Sequence, residues 1–110
     1  MNQFEITSGL DIEKLKEASH GKPVLVFKHS TTCPISSTAL DRVKRNWSDL
    51  EGKLDFYYLD LLKNRSISAA IAEEFGIQHE SPQVLLIKNG EWVYDASHFG
   101  IRSGEIVSNL

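Results

Sequence analysis

Val24-Leu25-Val26-Phe27, followed by Lys28-His29-Ser30-Thr31-Thr32-Cys33-Pro34-Ile35-Ser36, is the stretch that decides the fold. The continuous apolar run opened by Pro23 suits a strand covered on both faces, as in a parallel sheet sandwiched between helices. Pro34 suits the first position of a helix, where its missing N–H costs nothing. Leu40, Val43, Trp47 and Leu50 follow at spacings of three and four, which predicts a helix from Pro34 to near Leu50. Cys33 therefore sits where a buried strand hands over to a helix.

Working outward, Phe4-Glu5-Ile6 alternates as a short edge strand does. Ser8, with Asp11 three residues on, predicts a helix cap, and the helix runs to about His20 with Leu10, Ile12, Leu15 and Ala18 on its apolar side. Leu54 to Leu59 reads as a strand. A further helix carries Ile67, Ala70, Ile71 and Phe75 and stops at Gly76, a favoured terminating residue. Pro82 opens a strand over Val84 to Ile87, and Asn89-Gly90 gives a strong hairpin signal before Trp92-Val93-Tyr94. Ser103 is placed to cap a short last helix holding Ile106, Val107 and Leu110. The order β-α-β-α-β-α-β-β-α predicts parallel strands linked by helices and closed by an antiparallel hairpin. This is an α/β three-layer sandwich with a central mixed sheet flanked by helices. With no internal repeat, low-complexity tract or linker, residues 1–110 form a single domain.

Composition narrows the function. A chain of 110 residues, 41% hydrophobic and 25% charged, belongs to the globular class. A net charge of −3 with scattered basic residues offers no footprint for nucleic acid. The apolar runs are too short for a bilayer, and Met1-Asn2-Gln3-Phe4-Glu5 lacks the basic and apolar regions of a signal peptide. The expectation is a cytoplasmic protein that does not engage a membrane.

The cysteine count is decisive, because Cys33 stands alone. One thiol forms no disulfide within the chain and builds no thiolate zinc cluster, so any disulfide chemistry joins Cys33 to another molecule. His20, His29, His79 and His98 have no metal-ligand spacing, and no metal is expected. A thiolate, not a thiol, attacks disulfides, and the unpaired N–H groups and positive dipole end of a helix favour that anion. The ordinary alternative is a small buried hydrophobe; its place beside Pro34 argues for function. Ser36 falls on the same helical side as Cys33, where its hydroxyl either donates to the sulfur or serves the helix. Thr32 either donates to the sulfur or shapes the turn, and Pro34 fixes the helix start. Pro82 is allowed at the start of a strand, and His79 and Glu80 precede it without an obvious role as a base.

This element order, with Cys-Pro at a strand-to-helix junction and Pro82 opening the penultimate strand, resembles the thioredoxin superfamily over nearly the whole chain. Within it, Thr32-Cys33-Pro34-Ile35-Ser36 is similar to the motif of the YtxJ-type monothiol bacilliredoxins, which are associated with bacillithiol, a glucosamine–malate–cysteine thiol. Ser36 stands where a dithiol enzyme keeps a resolving cysteine, and Phe27 stands about where thioredoxins bury an acid. The resemblance implies a monothiol oxidoreductase that reduces bacillithiol mixed disulfides on proteins through Cys33. It implies bacillithiol as co-substrate, no tightly bound cofactor, S-bacillithiolated client proteins as partners, and a separate bacillithiol disulfide reductase. It also implies a cis Ser81-Pro82 bond beside Cys33. The loop Ser97 to Ser103 then lies where glutaredoxin-like proteins hold the acidic end of their thiol, making Arg102 and His98 candidates for the malate carboxylates, with Lys28 and His29 just before the active-site turn as further candidates ranked after them. Two other readings stay open: a non-catalytic binding module whose Cys33 is modified as a sensor, and a glutathione-linked monothiol glutaredoxin that binds a cluster.

Overall fold

Every residue of β2 (Val24–His29) is buried, because the strand runs through the middle of a five-stranded sheet. The computed structural model describes residues 3–110. Around β2 the sheet has the order β1-β3-β2-β4-β5, with β1 Gln3–Glu5, β3 Asp55–Asp60, β4 Gln83–Lys88 and β5 Glu91–Ser97. β1, β3 and β2 are parallel, whereas β4 runs antiparallel to β2 and to β5. The helices are α1 Leu10–Ala18, α2 Pro34–Arg45, α3 Trp47–Leu50, α4 Arg65–Phe75 and α5 Ser103–Ser108, with a 3₁₀ turn at His98–Gly100.

Successive side chains on a strand face opposite ways, and this splits the core into two layers. Val24, Val26, Leu85 and Ile87 pack with Ile12 and Leu15 of α1 and Ile71 of α4. Leu25, Phe27, Val84 and Leu86 pack with Ala39 and Val43 of α2, Leu50 of α3 and Ile106 of α5. The result is the expected three-layer α/β sandwich, with helices on both faces of a mixed sheet.

Local details depart from the sequence reading at helix ends. The helix begun at Pro34 stops at Arg45, because the Asn46 Nδ2 donates to the Arg42 carbonyl (2.9 Å) and its backbone leaves the helical region (φ −105°, ψ 25°). A short polar side chain that bonds nearby backbone competes with helix continuation. α3 restarts at once and sets Trp47 against Phe56, ring centroids 5.2 Å apart. At α1, the Asp11 carboxylate reaches back to the N–H groups of Thr7 (2.9 Å) and Ser8 (3.1 Å), bonds that hold it below its usual pKa. Ser8 Oγ accepts the Leu10 N–H, and Leu10 lies exposed rather than on the apolar side. Ser103 is the first residue of α5 rather than its cap; Arg102 takes the cap position, and the buried Ser103 Oγ has no partner. The Asn89-Gly90 hairpin forms as read, both residues at positive φ (54° and 77°).

α4 ends at Gly76 in the left-handed region (φ 68°), where the Ile77 N–H closes onto the Ala72 carbonyl at 3.0 Å. A Cβ at this position would meet nothing within 4 Å, so the only penalty for Gly76→Ala is conformational. We expect Gly76→Ala to lower unfolding free energy by about 1 kcal/mol in a urea titration; an unchanged midpoint would show that the helix end rearranges.

Candidate active site

Cys33 occupies the N-cap of α2 in extended conformation (φ −99°, ψ 116°) and is partly exposed. Its N–H donates to the Ser30 carbonyl (3.1 Å) and its own carbonyl accepts the Ser37 N–H (3.1 Å), so both sides of the residue are fixed. Pro34 leads the helix without an N–H, and the amides of Ile35 and Ser36 have no acceptor earlier in the helix. An N-cap side chain ordinarily accepts from those second and third amides. Here the group in that place is a sulfur, which makes no capping hydrogen bond, and the first turn of α2 carries no acidic residue. The arrangement suits an anionic nucleophile with solvent access.

Ser36 is fully buried. Its Oγ accepts the Ser30 N–H (3.0 Å) and lies 2.7 Å from His29 Nδ1. Burial lowers the His29 pKa despite the opposing charge of Asp60, so the neutral ring accepts a hydrogen bond at Nδ1 from the Ser36 hydroxyl. The hydroxyl is thus engaged with the end of β2 rather than with Cys33. Thr32 is exposed in the turn, and Ile35 is half-buried.

The Ser81-Pro82 peptide is cis. The last β2–β4 pair is Lys28↔Gln83, so one step further the antiparallel register brings Pro82 alongside His29 and Ser81 alongside Ser30. The Pro82 carbonyl accepts the His98 N–H (3.1 Å). His98 holds φ 53°, an uncommon conformation for a residue with a side chain. The Cys33 turn, the Ser81-Pro82 segment and the His98 backbone therefore gather at one end of the sheet.

Two of the carboxylate candidates lie elsewhere. Lys28 is buried on the α4 side of the sheet, where its Nζ donates to the Ser68 carbonyl and lies within hydrogen-bond distance of His79 Nδ1 (3.2 Å each). Desolvation brings its ammonium down to about 8, and burial together with that nearby charge lowers the His79 pKa. Lys28 follows Val24 and Val26 on one face of a strand, so the period of two already held the signal that it points into the α4 layer. Arg102 is exposed and lines a cleft of about 610 Å³ with Arg42, Asn46, Asp49 and Phe99. Arg42 lies nine residues beyond Cys33, about 13 Å along the helix, so Arg102 is grouped with the far end of α2. A second cleft, of about 500 Å³, is lined by Ser30, Leu61, Leu62, Arg65, Ser68, Ala69, His79 and Ser81, and so includes the residue that opens the Cys33 turn and one residue of the cis peptide. Sequence reasoning passed over Arg65, since nothing local links it to Cys33. Among the described residues no group of three or more His, Cys, Asp or Glu side chains is arranged to hold a metal ion.

Comparison with known proteins identifies the family and the fold. A family model described as monothiol bacilliredoxin BrxC matches residues 4–106. A solved thioredoxin-fold protein described as a candidate oxidoreductase is 33% identical, with a TM-score of 0.85 over 97% of this chain and 92% of that one. The thioredoxin of Fasciola hepatica, 18% identical, superposes with a TM-score of 0.69 over 98% of this chain and 94% of its own. That of Trypanosoma brucei brucei, 11% identical, gives 0.75 over 98% and 87%. The last two show the fold alone; the first two findings support a thiol oxidoreductase.

The buried Lys28 has a consequence for pH. Below about pH 8 its ammonium is charged in folded and unfolded chains alike; between about 8 and the unfolded value of 10.5 only the unfolded chain holds the proton, so folding stability rises with pH across that window. Urea titrations of wild type and Lys28→Met at about pH 7 and about pH 10 should show their difference moving in favour of wild type at the higher pH. A difference that does not change with pH would mean the ammonium is as well hydrated as in the unfolded chain.

Proposed function

The chain belongs to the monothiol bacilliredoxin family, and from that premise we propose that it reduces bacillithiol mixed disulfides on proteins, with Cys33 as nucleophile. The observation that carries the reading is the N-cap placement of the only thiol, with Ser36 in the third helical position engaged to His29 and Ser30. A thiolate there attacks readily, and no second sulfur in the chain can resolve the product.

In the proposed cycle the Cys33 thiolate attacks the bacillithiol sulfur of a mixed disulfide. The disulfide bond between the bacillithiol sulfur and the client sulfur breaks, and the client leaves as a thiolate that takes a proton from water. Cys33 is now joined to bacillithiol. The thiolate of a second bacillithiol attacks that sulfur, regenerating Cys33 thiolate and releasing bacillithiol disulfide. A separate reductase returns the two electrons to that disulfide. The cycle takes place in the cytoplasm and requires no metal or tightly bound organic cofactor. No helix among the described residues is long and apolar enough to cross a membrane.

Intact-mass analysis after exposure to bacillithiol disulfide and to glutathione disulfide, side by side, tests the reading. The bacillithiol adduct should form preferentially on wild type and be absent from Cys33→Ser, and catalytic amounts of protein should turn over a bacillithiolated client with free bacillithiol. Equal or preferential glutathione labelling would sink the assignment. Stoichiometric labelling without turnover would make the domain a sensor instead.

A further inference from the structure

The cleft on the α4 side begins at the active-site turn. Ser30, whose carbonyl accepts the Cys33 N–H, forms one wall and Ser81 of the cis peptide another. Its volume of about 500 Å³ lies in the range that holds small ligands, and Leu61 and Ala69 give it an apolar lining against which a sugar-sized body can pack. Arg65 lines it as the first residue of α4 and is exposed, and no carboxylate among the described residues pairs with it. Behind His79 lies the Lys28 ammonium, which adds a second positive charge. The first turn of α4 contains no acid. Of the acids close by, Asp60 accepts the Lys63 N–H (3.4 Å) and Glu80 acts on His79 from outside the lining.

We infer that this cleft receives the non-thiol part of the small partner joined to Cys33, and that Arg65 binds its carboxylates. The inference rests on the reading that Cys33 exchanges with a small acidic thiol, and it adds where that molecule lies and what selects it. A guanidinium holds a carboxylate through two parallel hydrogen bonds, so Arg65 is a specificity-determining residue that an uncharged disulfide does not use. The cleft of Arg42 and Arg102 is the competing location. The α2 residues that line that cleft begin about 13 Å along the helix from Cys33, whereas the Arg65 cleft is lined by Ser30, whose carbonyl holds the Cys33 N–H.

The test follows formation of the Cys33 adduct by intact mass against increasing concentrations of bacillithiol disulfide, with uncharged 2-hydroxyethyl disulfide as comparator. Arg65→Ala should raise the half-saturating concentration of bacillithiol disulfide by at least about tenfold, the effect of losing its charge-assisted hydrogen bonds to the carboxylate. The limiting rate and the reaction with the uncharged disulfide should be unchanged, Arg65→Lys should recover part of the loss, and Arg102→Ala should behave as wild type. Normal labelling with no change in Arg65→Ala, or a loss that falls on Arg102→Ala, overturns the assignment alone. If neither disulfide labels wild type, the functional reading falls and this assignment goes with it.

Discussion

At the point where β2 ends and α2 begins, one buried hydroxyl is shared between two segments: Ser36 Oγ takes the Ser30 N–H and meets His29 Nδ1. β2 is buried over its whole length and cannot adjust to water, so a polar group left unpaired at its end would cost about 1–3 kcal/mol. Ser36 satisfies two such groups at once and in doing so fixes the first turn of α2 against the centre of the sheet. The N-cap geometry of Cys33, with its N–H on Ser30 and its carbonyl on Ser37, depends on that junction. In a dithiol site this position carries a second thiol; in this chain it ties the sheet to the turn that holds Cys33.

The same strand sets the electrostatics. Two-sided burial with a period of two turns Lys28 toward α4 and His29 toward α2. Both are pushed toward their neutral forms by desolvation. Lys28 joins β2, α4 and the segment before the cis peptide through Ser68 and His79. Such a link is costly to desolvate and strongly destabilising to break. The exposed Arg45–Asp41 pair, although only 2.8 Å apart, contributes about 0–1 kcal/mol. Stability therefore resides in the two apolar layers and these buried polar joints, and the surface charges add little.

What the sequence revealed follows from the range of each signal. The Val24 to Phe27 and Val84 to Ile87 runs, Pro34, Gly76 and Asn89-Gly90 act locally, and each appears where expected. Cys33 at a helix start was legible for the same reason. The antiparallel direction of β4 beside β2 is a property of chain path and leaves no local trace. Asn46 breaks its helix by bonding Arg42, a choice that competes narrowly with continuing. Lys28 and Arg102 are candidates for carboxylate binding by residue type and by their place in the sequence, and neither cue reports where the fold puts them. The first is buried by strand period, and the second is carried off by the packing of the His98–Gly100 turn and α5 against α2 and α3. Arg65 comes near the active-site turn only through the crossover between β3 and β4, which brings together residues far apart in sequence, whereas the place of His79 just before Pro82 already pointed toward the site.

A monothiol site divides two tasks that a dithiol site combines. A resolving cysteine three residues away acts at high effective concentration, whereas a resolving thiol from solution loses that advantage. Placing a sulfur at a helix end does not restore it, since any stabilisation of a thiolate aids attack on every disulfide alike and lowers intrinsic nucleophilicity as it grows. Only binding energy directed at the incoming thiol or at the group already on Cys33 can make up the difference, and only such binding discriminates among thiols. The geometry provides for this by separating the parts: the sulfur at the α2 cap, the rigid junction beneath it, and the Arg65 cleft opening beside Ser30 and Ser81. On the proposed reading, reactivity and selectivity rest on different elements, the first on α2 and the second on the face toward α4.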